Sequence, residues 1–257
     1  MRLSGKRAII TGGAHGIGES MARAYADEGA IVVTMDIQDA LGKKVADEIN
    51  AKHPGAAKYY HCDVSKSREV KDAFAMAIDH LGGVDVMADV AGTSAMLTDP
   101  QDISEEQLDR ILGINLKGTI FTNQAVYHTM KANGGGVIIN FASGAAILPI
   151  GVADYGAAKG GVVSWTRHVA KAWGPDNIRV NSVCPSAVTW ELPADLEPDM
   201  RRRMEEHQRK LVADHPLGRR GITELDVTPV MVFLATEAAR YMTGQMFCVD
   251  GGYAMVR

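Results

Sequence analysis

Short apolar runs rich in β-branched residues alternate with longer helical patterns along most of this 257-residue sequence. Runs such as Val137–Phe141 are apolar at nearly every position, which is typical of strands that a parallel sheet buries on both faces. Alternating strands and helices favour right-handed crossovers and a doubly wound α/β fold. The predicted strands are Arg7–Thr11, Ile31–Asp36, Lys58–Asp63, Val84–Ala91, Gly136–Ala142, Ile178–Cys184 and Gln245–Val249. The predicted helices are Gly16–Glu28, Asp39–Lys52, Lys66–Leu81, Glu105–Lys131, Ala153–Trp173, Glu197–Ala213 and Glu224–Ala235.

The alternation runs from Arg7 to Val249 without an internal repeat or a low-complexity linker. It therefore predicts one domain over residues 1–257, with seven parallel strands. The stretch 185–221 departs from the pattern, because it contains a predicted helix but no predicted strand. Long insertions in compact domains are usually lids or binding loops, so we expect a substrate lid here. Its run of arginines at 201–203 is open to two interpretations, an anion site or a solvated helix face.

Composition excludes several classes of protein. Lys and Arg number 27 against 31 Asp and Glu, a net charge of −4 that disfavours a nucleic-acid-binding protein. No apolar run approaches the roughly 18 residues of a membrane span, and no signal peptide is evident, so we expect a cytoplasmic protein. Cys62, Cys184 and Cys248 are widely spaced and are predicted to be buried thiols. We predict no metal site, because neighbours such as His61 and Cys62 point to opposite faces of a strand.

The first predicted strand runs into a glycine-rich turn, Thr11–Gly18, and a helix follows at once. Glycines at positions 12, 16 and 18 permit a tight turn and let a ligand approach the backbone closely. The free amide groups and partial positive charge of a helix N-terminus suit a pyrophosphate. In the first strand–helix turn of an α/β chain, this pattern predicts a dinucleotide site. The predicted contacts are Gly12, His15, Gly16, Ile17 and Gly18.

Asp36 ends the second predicted strand, where its carboxylate can accept hydrogen bonds from both hydroxyls of an adenosine ribose. The same carboxylate repels a 2′-phosphate, and the residues that follow it, Ile37 and Gln38, supply no arginine to bind one. We therefore predict NAD rather than NADP as the cofactor. Asp63, at the end of the third strand, is interpreted either as an acceptor for the adenine amine or as the N-cap of the next helix.

Tyr155 and Lys159 lie four residues apart at the start of a long predicted helix, so both side chains lie on one face. Ser143 ends the fifth strand, at the carboxyl edge where open α/β sheets bind ligands. A phenol has a pKa of about 10, and a nearby ammonium group lowers it by stabilising the phenolate. The tyrosine can then exchange a proton with a substrate oxygen that the serine hydroxyl polarises. A nicotinamide would supply or accept the hydride.

With these features the chain resembles the short-chain dehydrogenase/reductase family over essentially its whole length. The resemblance implies a Rossmann fold and a homotetramer, with Tyr155 as general acid/base and Ser143 positioning the substrate oxygen. It also implies that Lys159 binds the nicotinamide ribose and depresses the tyrosine pKa, and that Asn115 holds a water in a proton relay. Val188 is expected to contact the carboxamide through its backbone. The matching segments are Thr11–Gly18, Asp63-Val64, Asn115, Ser143, Tyr155-x-x-x-Lys159, Arg179-Val180-Asn181, Thr243-Gly244-Gln245 and Val249-Asp250-Gly251-Gly252. The predicted cofactor contacts thereby extend to Asp36, Asp63, Val64, Ala91, Gly92, Tyr155, Lys159, Pro185 and Val188.

Two segments depart from the family pattern. The usual Asn-Asn-Ala-Gly after the fourth strand reads Asp89-Val90-Ala91-Gly92, so Val90 replaces an asparagine that normally braces the sheet. The usual Pro-Gly after the sixth strand reads Pro185-Ser186, and Trp190 stands where a threonine is common. We expect changes in the loops near the cofactor rather than a loss of activity.

The length, the glycine spacing and the four-residue Tyr–Lys spacing resemble the short carbonyl and alcohol enzymes of the family. We therefore predict NAD-linked interconversion of a secondary alcohol and a ketone. An apolar candidate pocket favours a bulky or cyclic substrate such as a hydroxysteroid, terpenoid or cyclic alcohol. The alternatives are a 3-oxoacyl carrier-protein reductase and, from another class, a catalytically silent dinucleotide-binding scaffold. The predicted pocket residues are Ala95, Met96, Ala145, Ile147, Trp190, Leu192 and Leu211.

Overall fold

The strands and helices follow the alternation predicted from the sequence. A computed structural model of the chain describes residues 1–94, 97–188 and 197–255. The strands are β1 (Arg7–Thr11), β2 (Ile31–Asp36), β3 (Ala57–His61), β4 (Val86–Asp89), β5 (Gly136–Phe141), β6 (Ile178–Pro185), β7 (Ala187–Val188), β8 (Gly221–Ile222) and β9 (Met246–Val249). The helices are α1 (Gly16–Asp27), α2 (Asp39–Lys52), α3 (Ser67–Leu81), α4 (Glu105–Leu112), α5 (Gly118–Ala132), α6 (Ala153–Trp173), α7 (Pro198–Ala213) and α8 (Thr228–Ala235).

The main sheet has seven strands in the order β3-β2-β1-β4-β5-β6-β9, and every neighbouring pair is parallel. The predicted doubly wound fold with seven parallel strands is therefore confirmed. The chain reverses its direction of winding between β1 and β4, where Thr11 pairs with Asp89 on one side and with Met35 on the other. Open α/β sheets bind ligands at the carboxyl ends of the strands beside such a switch point.

Helices cover both faces of the sheet, so adjacent strand residues enter different halves of the core. Ile10 and Ile139 pack with side chains of α1, α2 and α8 on one face. Ile9 and Ile138 pack with side chains of α3, α5 and α6 on the other. This alternation follows from the two-residue period of a strand, and burial on both faces explains why the strands are almost continuously apolar.

The prediction of one continuous helix over Glu105–Lys131 is wrong. Helices α4 and α5 are separated by a wider turn of π-helix, Gly113–Lys117, in which Asn115 is fully buried. The Asn115 side-chain amide donates to the carbonyl of Ile111 at 3.1 Å and to that of Thr93 at 3.0 Å. Asparagine side chains compete with the helix backbone for hydrogen bonds, and π turns are frequent at functional sites.

A similar π turn, Thr223–Val227, precedes α8, so the helix predicted over Glu224–Ala235 is regular only in its second part. The expectation that residues 185–221 contain no strand is also wrong, because β7 pairs in parallel with β8 at the two ends of this stretch. Two-residue strands have no readable period, and this pairing joins residues far apart in sequence. The helix predicted there is α7, whereas the lid itself lies partly outside the described residues and stays a prediction.

The arginines of α7 lie on a helix with many charges, where Arg202 pairs with Asp199 at 2.8 Å. Of the three cysteines, Cys62 and Cys184 are buried as predicted, but Cys248 is only partly buried because β9 is an edge strand. In the described ranges, no helix combines the length and the apolar character that a membrane span requires.

Candidate active site

The glycine-rich turn between β1 and α1 forms the first wall of the site. Gly12 has a φ of +67°, and a β-carbon there would lie 2.9 Å from the Cα of Ala91 in the neighbouring loop. A β-carbon at Gly18 would collide with the carbonyl oxygen of Gly12. The His15 ring does not cap α1 and instead lies 3.1 Å from the Gln38 amide nitrogen. The turn therefore leaves the N-terminus of α1 without a side-chain cap, as an anion site requires.

Asp36 lies where the sequence predicts it, at the end of β2, and is 7% exposed. Its two carboxylate oxygens accept hydrogen bonds from the amides of Ala14 and Gln38, each at 3.1 Å. These bonds hold the carboxylate between the glycine-rich turn and the residues after β2. Each oxygen retains a lone pair for a further donor, such as a ribose hydroxyl.

Asp63 does not serve as the N-cap of α3, because that helix begins at Ser67 with Lys66 in the capping position. The carboxylate instead closes the preceding turn by accepting from the amide of Ser65 at 3.0 Å and from its hydroxyl at 2.7 Å. It also forms an ion pair with Lys66 at 3.1 Å. Asp63 nonetheless faces the cavity described next.

A cavity of about 560 Å³ opens at the carboxyl edge of the sheet, beside the switch point. Thirteen of the predicted cofactor contacts line it, namely Gly12, His15, Gly16, Ile17, Gly18, Asp36, Asp63, Val64, Ala91, Gly92, Tyr155, Lys159 and Pro185. The fourteenth, Val188, lies in β7. Sequence reasoning missed further lining residues, among them Ile37, Gln38, Thr93, Arg110 and Ile114. Ile37 and Gln38 could have been found from their position after Asp36, whereas Arg110 and Ile114 carry no recognisable signal.

The departure at Val90 is accommodated by a threonine hydroxyl. Thr11 Oγ1 accepts from the amides of Val90 and Ala91, both at 3.2 Å, and donates to the Asp89 carboxylate at 3.0 Å. The Val90 side chain packs against the core. The backbone of Ala91 and Gly92 thus keeps its place in the cavity wall without the family's asparagine.

Ser143, Tyr155 and Lys159 come together where β5 ends and α6 begins. The Ser143 hydroxyl lies close enough to the Tyr155 phenol to lower its pKa. The Lys159 ammonium donates to the carbonyl of Phe141 at 2.7 Å and lies 5.7 Å from the centroid of the tyrosine ring. The four-residue spacing on α6 therefore places tyrosine and lysine against the same strand end, as predicted.

Electrostatics in the site differ from the expectation at Tyr155. Burial lowers the pKa of Lys159 to about 8, although the charge of Asp89 opposes this change. The protein atoms packed around Tyr155 raise the pKa of its phenol to about 12, against a lowering effect of the Ser143 hydrogen bond. The lowering of this pKa that we expected from Lys159 is not seen, because burial is the largest cause and the ammonium donates to the Phe141 carbonyl rather than to the phenol.

Asn115 lies next to Lys159 across Gly92. A β-carbon at Gly92 would be 2.8 Å from Asn115 Oδ1 and 3.6 Å from Lys159 Nζ. The Asn115 side chain also accepts from the Thr93 amide at 3.2 Å, so it fixes the loop after β4. The backbone carbonyl of Asn115 accepts from the Thr119 hydroxyl at 3.1 Å. The four predicted catalytic residues are therefore neighbours, while the water relay stays a prediction.

The predicted substrate pocket is only partly described. Ala145 and Ile147 follow Ser143, the first buried and the second 40% exposed. Leu211 lies on α7. Ala95, Met96, Trp190 and Leu192 lie outside the described residues.

Comparisons with known proteins agree with this geometry. The family model described as enoyl-(acyl carrier protein) reductase matches residues 12–254. The chain is 34% identical to an NAD-dependent glycerol dehydrogenase of Listeria innocua, over 98% of this chain and 95% of that protein. It is 33% identical to (+)-borneol dehydrogenase 2 of Salvia officinalis, over 98% and 90%. A solved short-chain type dehydrogenase/reductase from Mycobacterium marinum superposes with a TM-score of 0.87 at 34% identity, over 99% of this chain and 97% of that one. The chain belongs to the short-chain dehydrogenase/reductase family and is an oxidoreductase.

Proposed function

We propose that this protein is an NAD-dependent dehydrogenase that interconverts a secondary alcohol and a ketone. The observation that carries the proposal is the meeting of Ser143, Tyr155, Lys159 and Asn115 beside the 560 Å³ cavity that the glycine-rich turn lines. Relatives named as dehydrogenases of glycerol, D-threitol and (+)-borneol support the reaction class. A silent scaffold would not need these four side chains together.

The chain's own groups handle the proton and orient the substrate. Ser143 would hydrogen-bond the substrate oxygen, and Tyr155 would take the hydroxyl proton during oxidation or return it during reduction. Lys159, held on the Phe141 carbonyl, would bind the nicotinamide ribose and stabilise the phenolate. A bound nicotinamide would accept or supply the hydride. The collision that any β-carbon at Gly18 would cause fits a turn built for close approach of a pyrophosphate.

We further propose NAD rather than NADP as the cofactor. Asp36 is nearly buried at the cavity wall, and a 2′-phosphate beside it would place two negative charges together. The named NAD dependence of the glycerol dehydrogenase relative agrees with this choice. A bulky or cyclic apolar alcohol is the proposed substrate class, on the basis of Ala145 and Ile147 beside Ser143.

The Tyr155→Phe variant tests the reaction. It keeps the ring but removes the hydroxyl, so kcat for NAD-linked oxidation of secondary alcohols should fall by about 10²–10⁴-fold. NADH binding, measured by fluorescence titration, should change little. The matched control is Tyr127→Phe, which removes a phenol that donates to Asp176 at 2.8 Å, away from the cavity. Oxidation at the wild-type rate by Tyr155→Phe would contradict the mechanism.

The cofactor choice is tested by comparing kcat/KM for NAD and for NADP. Wild type should prefer NAD, and Asp36→Ala should lose much of that preference because the repulsive carboxylate is gone. The control is Asp47→Ala on α2, where an exposed carboxylate is removed from the same part of the fold. A wild-type preference for NADP would overturn the argument from Asp36.

A further inference from the structure

Three side chains that the proposed mechanism does not use form a compact group, Ser186, His215 and Tyr253, termed here the Ser186 cluster. The Ser186 hydroxyl lies 2.6 Å from Nε2 of His215, within hydrogen-bond distance. The imidazole is 4% exposed and stacks on Tyr253, with ring centroids 4.6 Å apart and planes 7° from parallel. The cluster therefore joins three segments that are distant in the sequence.

The backbone of Ser186 is tied on both sides. Its amide donates to the carbonyl of Val249 in β9 at 3.0 Å, and its carbonyl accepts from the amide of Gly221 in β8 at 2.7 Å. With its amide and carbonyl engaged, the backbone of Ser186 is fixed in place. Ser186 is also the residue that departs from the family's Pro-Gly pattern, so a glycine could not make this side-chain bond.

Tyr253 is held at the other end of the cluster by a turn. The Asp250 carboxylate accepts from the amide of Gly252 at 3.0 Å and from that of Ala254 at 2.7 Å. The tyrosine ring reaches the loop after β5, where a β-carbon at Gly144 would lie 3.8 Å from Cδ1 of Tyr253. Gly144 directly follows Ser143, so the ring lies one residue from the serine that would hold the substrate oxygen.

The Ser186 cluster thus connects two parts of the active site. Ser186 follows Pro185, which lines the cofactor cavity, while Tyr253 lies against Gly144 and outside the residues that line that cavity. We propose that Tyr253 is a wall of the substrate pocket that limits the bulk of the alcohol, and that His215 is the positioning residue that holds it there. This inference rests on the proposed function, because it assigns the specificity of the same site.

The Tyr253→Ala variant tests the wall. We measure kcat/KM for cyclooctanol and for 2-butanol with saturating NAD, and we take the ratio of the cyclooctanol value to the 2-butanol value. Loss of an apolar wall is worth about 1–3 kcal/mol between substrates that differ in bulk, so the ratio should rise at least about tenfold. The KM for NAD should stay within about twofold of wild type. Tyr241→Ala is the matched control, since that tyrosine is fully exposed, and its ratio should equal that of wild type.

Two further variants test the positioning role of His215. His215→Phe keeps a ring to stack on Tyr253 but removes the bond to Ser186, and Ser186→Gly removes the same bond from the other side. Loss of a hydrogen bond of about 1 kcal/mol should raise KM for the alcohol about fivefold in each variant, with kcat little changed. Because both remove one interaction, the double variant should show the effect of a single one. A merely structural cluster would lower the melting temperature without changing KM or the selectivity ratio.

The outcomes separate the two proposals. If wild type oxidises secondary alcohols and Tyr253→Ala leaves the selectivity ratio unchanged, the inference is overturned and the proposed function stands. If the ratio changes but His215→Phe and Ser186→Gly behave as wild type, the positioning role of His215 is overturned. If wild type shows no NAD-linked alcohol oxidation, both the proposed function and the pocket wall are overturned.

Discussion

At the scale of single residues, Asp89 is the clearest case of a side chain whose surroundings do not match its charge. It is 2% exposed, and its Oδ1 accepts from the hydroxyls of Thr11 and Thr122, each at 3.0 Å. Its Oδ2 has no hydrogen-bond partner among the described residues. Burial raises the pKa of this carboxyl. An acid whose pKa is higher in the folded state releases a proton on unfolding. Its contribution to the free energy of unfolding therefore falls as the pH rises above the pKa of the unfolded state.

We therefore expect Asp89→Asn to stabilise the protein. An asparagine keeps the acceptor for both threonines and removes the cost of the buried acid, which should raise the free energy of unfolding by about 1–2 kcal/mol at pH 7. The gain should shrink near pH 4, where about half of the unfolded carboxyl is also protonated. Urea denaturation at the two pH values measures both effects.

The matched control is Asp85→Asn. Asp85 pairs with Arg7 at 2.9 Å, and the pKa of its carboxyl is lowered. Its charge therefore stabilises the protein above the pKa of the unfolded state, and this stabilisation is lost as the pH falls. Asp85→Asn should therefore destabilise the protein at pH 7. Equal destabilisation by both variants would show that Asp89 is a paired, ionised group and would contradict the prediction.

At the scale of elements, the junction of β1 and α1 depends on a glycine with no room for a side chain. In Gly18→Ala the new methyl group must displace the carbonyl of Gly12, and with it the turn that would receive the pyrophosphate. We expect the Kd for NADH to rise at least about tenfold, since a shift of this turn removes several aligned amide groups. Fluorescence titration measures the Kd, and circular dichroism reports whether the fold is retained.

Gly174→Ala is the control for this substitution. Gly174 follows α6, has a φ of −53°, and a β-carbon there would have no atom within 4 Å among the described residues. The Gly174→Ala variant should bind NADH with the affinity of wild type. Unchanged affinity in Gly18→Ala as well would mean that the turn can shift without affecting the cofactor, against the expectation.

At the scale of the whole molecule, the sheet ends on one side at β9, whose four residues are all partly exposed. Together with the family resemblance, this edge favours the predicted homotetramer. Light scattering at micromolar concentration should give four times the chain mass of 27.6 kDa, roughly 110 kDa. A particle of the monomer mass would contradict this prediction.

The sequence by itself determined the sheet and most of the candidate site. Seven strands were predictable because burial on both faces requires nearly continuous apolar runs, and the β1 and β2 boundaries are reproduced without change. The positions of Gly12, Gly18, Tyr155 and Lys159 were readable because close spacing in sequence places them on one turn or one helical face. Thirteen predicted cofactor contacts therefore line one cavity.

Only the tertiary structure decided the features that depend on contacts between distant segments. The π turn at Asn115 exists because its side chain bonds a loop 22 residues away, and local periodicity does not report such a bond. The raised pKa of Tyr155 depends on the atoms that distant segments pack around it. The bond between Ser186 and His215 likewise joins two positions that no sequence spacing relates. Helices, strands and turns follow from residues that are close in the sequence, whereas burial, shifted pKa values and long-range contacts arise only when the chain is folded.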